Sequence, residues 1–367
     1  MNVLLKEIRH QPLLWLLAFV PVVFVVERVR PGSHTLLFVL SVLAIVPLAA
    51  LLSHATEAVA AKTGDAAGGL LNATLGNLTE LVIALTALKA GQYMLVKASI
   101  AGAIVTNSLF MLGACFLLGG LKHHTQEYNR VGARVQAGLL FLATVALLIP
   151  SATSGLEESA RGEFMTKLSL GLAVLLIVVY ALGMLFSLKT HKEMFASAAH
   201  AEPDDAHEAP WPMGLALTTL AVVTVIVALV SEVFVASVQQ AAESFGMTPA
   251  FVGFIIVALV GAAAEMASAF AAARKNRLDL SVGIALGSAS QIALFVAPVL
   301  VLLSYVIGPT PMDLQFWRGA IVMMMIATLT AAFVTNSGKS AWFIGVLVLT
   351  VYFIFAMTLY LLPPTGA

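Results

Sequence analysis

Charge is scarce in this chain. Of 367 residues, only 10% are Asp, Glu, Lys or Arg, against about 25% in soluble domains. A chain so poor in charge cannot cover a water-facing surface. Basic and acidic residues balance at 19 each, which argues against a nucleic-acid partner. The single cysteine, Cys115, lies in an apolar run. No disulfide framework exists, and its plain reading is a small buried hydrophobe. His-Glu-x-x-His and a nucleophile elbow are both missing, so an intramembrane hydrolase has little to stand on. His54 and Glu57, three apart, share a helix face and nothing more. The pair His123-His124, in "KHHTQEYNR", reads as a solvated loop rather than a metal site.

Apolar residues are abundant: 60% of the chain is hydrophobic and mean hydropathy is +0.99. The fold class this implies is an all-α polytopic membrane protein, because backbone polar groups in lipid must be satisfied within each segment. Apolar runs divided by charge, Pro or Gly clusters give eleven expected helices, near 12–28, 36–60, 69–88, 93–119, 131–150, 166–187, 213–238, 250–272, 279–306, 314–335 and 341–361. The first is short enough for a signal peptide, but "ERVRPGSH" follows it with no small-residue cleavage pattern, so it counts as a span. With the N-terminus inside, twelve of the 19 basic residues fall on the inner side and seven on the outer, the bias expected of cytoplasmic loops. The segment "THKEMFASAAHAEPDDAHEAPWP", 190–212, holds five acids and three histidines. It reads as a solvated linker, with weak calcium or pH sensing as the sharper alternative.

Two stretches of the chain repeat one another. "GNLTELVIALTALKAG" starts at Gly76, and "GAAAEMASAFAAAR" at Gly261. Both carry Gly-x-x-x-Glu, ending at Glu80 and Glu265, and both have a basic residue nine positions later, Lys89 and Arg274. An amide follows each glutamate, Asn107 after 27 residues and Gln291 after 26. Five spans separate the copies, so they run in opposite directions across the membrane. That is the order of an inverted-repeat transporter, whose site lies near the midplane where the repeats meet. An acid at a helix centre costs about 2.5–3.5 kcal/mol on insertion scales and must face a cavity or a partner. Two such acids together repel unless a divalent cation or protons neutralise them. Calcium takes about six to eight oxygens. Asn77, one helical turn before Glu80, together with Thr79, Asn107, Ser288, Ser290 and Gln291, offers them. For each of these the plain alternative is interhelical hydrogen bonding.

"GGLLNATLGNLTELVIALTALKAG", "FVGFIIVALVGAAAEMASA" and "DLSVGIALGSASQIALFVAPVLV" closely resemble the two signatures of the calcium/proton exchangers, a branch of the calcium/cation antiporter superfamily. "HATE", "VSE" and "LKTHK" fit as well. The resemblance implies one leading helix plus two inverted five-helix repeats: 1–34 with the leading helix, a first repeat over 35–189, the linker 190–212, and a second repeat over 213–367. It also implies exchange of cytosolic calcium for protons, with calcium as transported substrate and no cofactor. The family's central glutamates fall on Glu80 and Glu265, its amides on Asn107 and Gln291, and its first-signature asparagine on Asn77. Glu57 and Glu232 match acids nearer the ends of the permeation route. One departure stands out: the second signature ordinarily reads Gly-Asn-Ala-Ala-Glu-His, and here Ala262 and Met266 replace the asparagine and the histidine. That removes one oxygen and one group titrating near neutral pH.

The expectation is therefore an antiporter in which Glu80 and Glu265 bind calcium or protons competitively. Exchange of sodium or potassium on the same fold is the alternative, and a passive channel a weaker one. The expected partners are calcium, protons and the lipid bilayer, with a homo-oligomer compatible. The expected location is a prokaryotic plasma membrane with the N-terminus cytoplasmic, since no long regulatory tail precedes the first span.

Overall fold

The computed structural model describes residues 11–63, 65–152, 158–195 and 211–361. Most of the acidic linker thus lies outside the described residues. The first half contains α1 (Pro12–Val29), α2 (His34–Ala60), α3 (Asp65–Leu75), α4 (Leu78–Lys89), α5 (Tyr93–His123), β1 (Thr125–Glu127), α6 (Arg130–Ala152) and α7 (Glu158–Leu185). The second contains α8 (Met213–Ser244), α9 (Pro249–Gly261), α10 (Ala263–Arg274), α11 (Leu278–Ile307), α12 (Arg318–Val334), β2 (Lys339–Ala341) and α13 (Trp342–Leu361).

Every expected span is occupied by helix, but not always by one straight helix. Among the described residues eight helices are long and apolar enough to cross a membrane, and α9 with α10 makes a ninth span bent by 59°. The expected spans 69–88 and 250–272 are both broken. The first divides at Gly76-Asn77 and the second at Ala262. The expected span 314–335 is the shorter apolar helix α12.

Burial sorts the helices into a centre and a rim. In α5, 89% of the most apolar window is buried inside the protein, against 11% in α1. The leading helix therefore lies against α2 at the periphery. Large apolar side chains such as Val174, Leu175, Leu182, Phe353 and Ile354 are exposed, as helices facing hydrocarbon require. The opening helices of the two halves, α2 and α8, pack along each other, and each also touches the other half's bent pair: α2 meets α10, and α8 meets α4. At the crossing of α5 and α9 the backbones come very close. A Cβ on Gly102 would overlap the Phe254 backbone, and one on Gly253 would lie 3.2 Å from the Leu95 carbonyl oxygen.

The two halves also strap each other at opposite ends of the bundle. Between α5 and α6, β1 pairs antiparallel with β2, Gln126 opposite Ser340. Buried Gln126 donates from Nε2 to the Ala273 carbonyl and to Asn276 Oδ1, both at 2.9 Å. Lys122 donates to the Arg274 carbonyl at 3.0 Å, and His123 Nε2 lies 3.0 Å from the same oxygen. Together these groups cap the C-terminal end of α10, where free carbonyls need donors. His123, expected in a solvated loop, is part of this contact. Beside it Glu127 pairs with Lys339 at 2.6 Å and holds that ammonium's pKa above its ordinary value.

The equivalent connection in the second half, between α11 and α12, closes over the first half at the other end. Tyr93 donates to the Thr310 carbonyl at 2.6 Å and accepts from Thr310 N at 2.9 Å. Lys97 pairs with Asp313 at 2.5 Å. Ser304, Ser169 and Ser151 accept from the backbone amides of Met312, Leu314 and Phe316, so this extended segment leaves few orphaned donors.

Candidate functional site

The site forms where the two bent pairs meet. Helices α4 and α10 are both 12 residues long, and each carries its glutamate in the first turn. Asn77 and Ala262 hold the same position, immediately before the helix starts; their carbonyls accept from Leu81 N and Met266 N. An acid in the first turn faces the positive end of the helix dipole, which offsets part of the cost of burying it. Asn77 does not use its side chain to cap its own helix; the amide reaches into the other half instead.

Four polar side chains form a directed chain across the interface. Asn107 Nδ2 donates to Ser288 Oγ, Ser288 Oγ donates to Asn77 Oδ1, and Asn77 Nδ2 donates to Gln291 Oε1, each at 2.8 Å. Asn77, Asn107 and Ser288 are buried. Ser288 also lies beside Glu265, and Glu265 is close enough to Glu80 to feel its charge. Three oxygens in this region are buried without any partner: Glu80 Oε1, Glu265 Oε2 and Asn107 Oδ1. Carboxylate and amide carbonyl oxygens are hard donors of the kind that calcium takes.

The repeated glycines have a crosswise role. A Cβ on Gly261 would lie 2.8 Å from Glu80 Cγ and 3.3 Å from its Oε1. A Cβ on Gly76 would lie 3.8 Å from Glu265 Oε1. Each motif glycine thus faces the glutamate of the other half, and Gly261 is the one whose missing side chain makes room for it. Neighbouring helical irregularities share this symmetry: a π-helical turn, Thr106–Met111, contains Asn107, and another, Ile292–Val296, follows Gln291 directly. Such turns shift side-chain register within a helix and recur at functional sites.

The remaining expected residues lie apart from this chain. Ser290 is buried, but its hydroxyl donates to the Gly287 carbonyl of its own helix at 2.9 Å. Glu57 is exposed near the end of α2 and accepts from Ser53 Oγ at 3.2 Å. Glu232 on α8 is 3.6 Å from Lys89, both side chains well exposed. His54 lies with its ring tilted 51° to that of Trp211, centroids 6.5 Å apart, near the end of the linker. The straps have no signature in the sequence, because a polar loop gives no local sign of a partner 147 to 217 residues away. The crosswise glycines were half visible, as a spacing without its direction.

Comparison with known proteins agrees with this architecture. A family model described as "Sodium/calcium exchanger protein" matches residues 33–189 and 215–361, one block for each half. The chain is similar to a Ca(2+)/H(+) antiporter of Aphanothece halophytica, with 39% identity over 95% of this chain and 96% of the relative. It is also similar to the Ca(2+)/H(+) antiporter ChaA of Bacillus subtilis, with 40% identity over 92% and 95% of the two chains. Among solved structures, native YfkE superposes with a TM-score of 0.79 at 36% identity, covering 94% of this chain and 98% of that one. An H+/Ca2+ exchanger, CAX, shares the fold with a TM-score of 0.72 at 17% identity, covering 96% and 92%.

Proposed function

This chain belongs to the sodium/calcium exchanger protein family, and we propose that it is an integral membrane antiporter exchanging calcium for protons, with Glu80 and Glu265 as the shared site. It is a transporter rather than an enzyme, and calcium is its cargo rather than a resident cofactor. The observation that carries the reading is the pair of buried carboxylates, one from each inverted half, whose Glu80 Oε1 and Glu265 Oε2 have no protein partner. Burial disfavours the charged form of a carboxylate, and a bound cation favours it. Cation and protons then compete for the same oxygens. Asn77, Asn107, Ser288 and Gln291 hold the glutamates' surroundings in register, and their oxygens complete the coordination. Ser290, the residue before Gln291, spends its hydroxyl on the Gly287 carbonyl of its own helix.

The scheme runs in three steps. With the site open to the cytosol, ionised Glu80 and Glu265 capture calcium. The bent pairs then shift against the remaining helices, and protons arriving from the far side neutralise the carboxylates and displace the ion. The neutral site returns and releases its protons. The distribution of basic residues supports a cytoplasmic N-terminus, which puts Glu57 at the cytosolic end of the route and Glu232 toward the other.

Reconstitution into proteoliposomes with an imposed pH gradient tests this. Wild type is expected to move calcium against the proton flux, while Glu80→Gln and Glu265→Gln abolish it. Calcium transport by Glu265→Gln with normal rate and pH dependence would overturn the scheme. Ala262 favours one competing reading, exchange of a monovalent cation, because the second half offers one oxygen fewer. Sodium and potassium gradients in the same vesicles separate the two, and the Ala262→Asn, Met266→His double variant measures what the departures do to calcium flux.

A further inference from the structure

The matching helices α6 and α12 each begin on an arginine, and the protein satisfies only one of them. In α6 the preceding Asn129 caps the helix, its Oδ1 accepting from Val131 N and Gly132 N at 3.0 Å, and Arg130 reaches Asn336 Oδ1 at 3.4 Å. In α12 the preceding residue is Trp317, which makes no side-chain cap. The opening amides of that helix therefore go without the acceptor that Asn129 gives α6. Arg318 is exposed and makes no hydrogen bond or ion pair among the described residues. The Trp317 indole N–H has no acceptor among them either. The acid of this segment, Asp313, is taken by Lys97 at 2.5 Å and by Gln315 N at 2.8 Å. A cation beside the positive end of a helix dipole is unfavourable, so α12 itself gives no reason for an arginine there.

These groups border an open cavity of about 620 Å³, lined by Tyr93, Lys97 and Ser151 from the first half and by Gln315, Trp317 and Arg318 from the second. Beyond the neutralised Lys97–Asp313 pair the lining carries one cation, so it suits an anion. The position of the cavity identifies the source of that anion. Val322, Ile326, Leu329 and Phe333 are all exposed, and their helical spacing puts them on one face with Arg318. That face of α12 is turned to hydrocarbon, with Arg318 at its head. The helix has 17 residues and rises about 26 Å, less than the hydrocarbon thickness of about 30 Å. Arg318 is thereby kept at headgroup level, where Trp317 and Tyr93 are also at home. We propose that the cavity binds one anionic phospholipid. Its phosphate is held by Arg318, the first amides of α12 and the Trp317 N–H, and its acyl chains run along the exposed stripe. Because both halves line the cavity, the lipid fastens the segment between α11 and α12 to α5.

The test uses the full chain, delipidated in detergent and titrated with phosphatidylglycerol, phosphatidylcholine or soluble glycerol phosphate, with bound molecules counted by native mass spectrometry. The expected result is one phosphatidylglycerol held per chain, phosphatidylcholine held more weakly, and glycerol phosphate not retained. Arg318→Gln should weaken phosphatidylglycerol binding about fivefold or more. Arg318→Lys, which keeps the charge and loses the planar fork, should fall between. Arg130→Gln, whose arginine already has an acceptor, should leave binding as in wild type. Equal weakening by Arg130→Gln and Arg318→Gln would show a general effect of surface charge and overturn the site. Glycerol phosphate bound as firmly as the lipid would make this a free-anion site, and phosphatidylcholine bound equally would remove the selection for charge; either overturns the proposal. Thermal denaturation in detergent shows whether Arg318→Gln folds. If it does not, Trp317→Phe decides, since it removes only the indole donor and should weaken binding about twofold; unchanged binding there overturns the proposal. The readout is lipid binding, so the outcome stands apart from whether the chain moves calcium.

Discussion

At the scale of single residues, the close approach of Gly261 to Glu80 gives a sharp expectation. An added methyl at 2.8 Å from Glu80 Cγ must push a flexible functional side chain, not the backbone. Gly261→Ala should therefore fold and insert normally while raising the half-saturating calcium concentration about tenfold, a loss near 1.4 kcal/mol of cation binding. Gly76→Ala, whose methyl would meet Glu265 Oε1 only at 3.8 Å but the Asn72 carbonyl oxygen at 2.7 Å, should strain its own helix break while pressing less on the second carboxylate than Gly261→Ala presses on the first. Calcium-concentration curves for the two variants, measured side by side, check this inequality. The pH dependence follows from the same pair of acids. Protonation removes the charge that the cation needs, so calcium affinity should fall as the binding side is acidified. Two displaced protons make the limiting slope about a hundredfold per pH unit, and half-saturation measured at several pH values gives that slope directly.

At the scale of elements, the straps are the parts whose energetics can be tested without touching the site. Asp313→Asn leaves Lys97, whose side chain is only 16% exposed, without its counter-ion. The pair is partly open to solvent, so the expected loss is about 1–2 kcal/mol, between surface and buried cases. Gln126→Ala removes the hydrogen bond to the Ala273 carbonyl at the end of α10 and the one to Asn276 Oδ1 beyond it, and should cost about 1–3 kcal/mol. Lowered melting temperatures in detergent check both. These elements also show where the sequence was legible. The helical segments could be read, because hydropathy alone marks a membrane helix, and eight or nine of the eleven are membrane-length spans among the described residues. Their breaks could not. "GNLTE" and "GAAAE" each offer only a lone glycine, and the alanines and glutamate of the second are good helix formers, so neither stretch announces a break. The paired glutamates and their amides were legible through the repeat, whereas the commitment of Ser290 to its own helix depends on a rotamer that no spacing encodes.

At the scale of the whole molecule, each half completes the other. Asn77 ends on Gln291, Gly261 makes room for Glu80, α10 is capped from the first half, and Tyr93 and Lys97 are covered from the second. The crosswise straps have a consequence for how the chain is made. Residues 93–97 enter the membrane long before 308–313 are translated, so the first half must wait in lipid with its ion-pair partner, its glutamate's neighbour and its amide acceptor all still unsynthesised. Such an assembly intermediate exposes a lone lysine and two lone polar side chains to hydrocarbon, and membrane proteases should recognise it. Genes split within 196–210 and expressed together should yield halves that co-purify and support calcium uptake. Either half expressed alone should be degraded, and a pulse-chase experiment reads the difference.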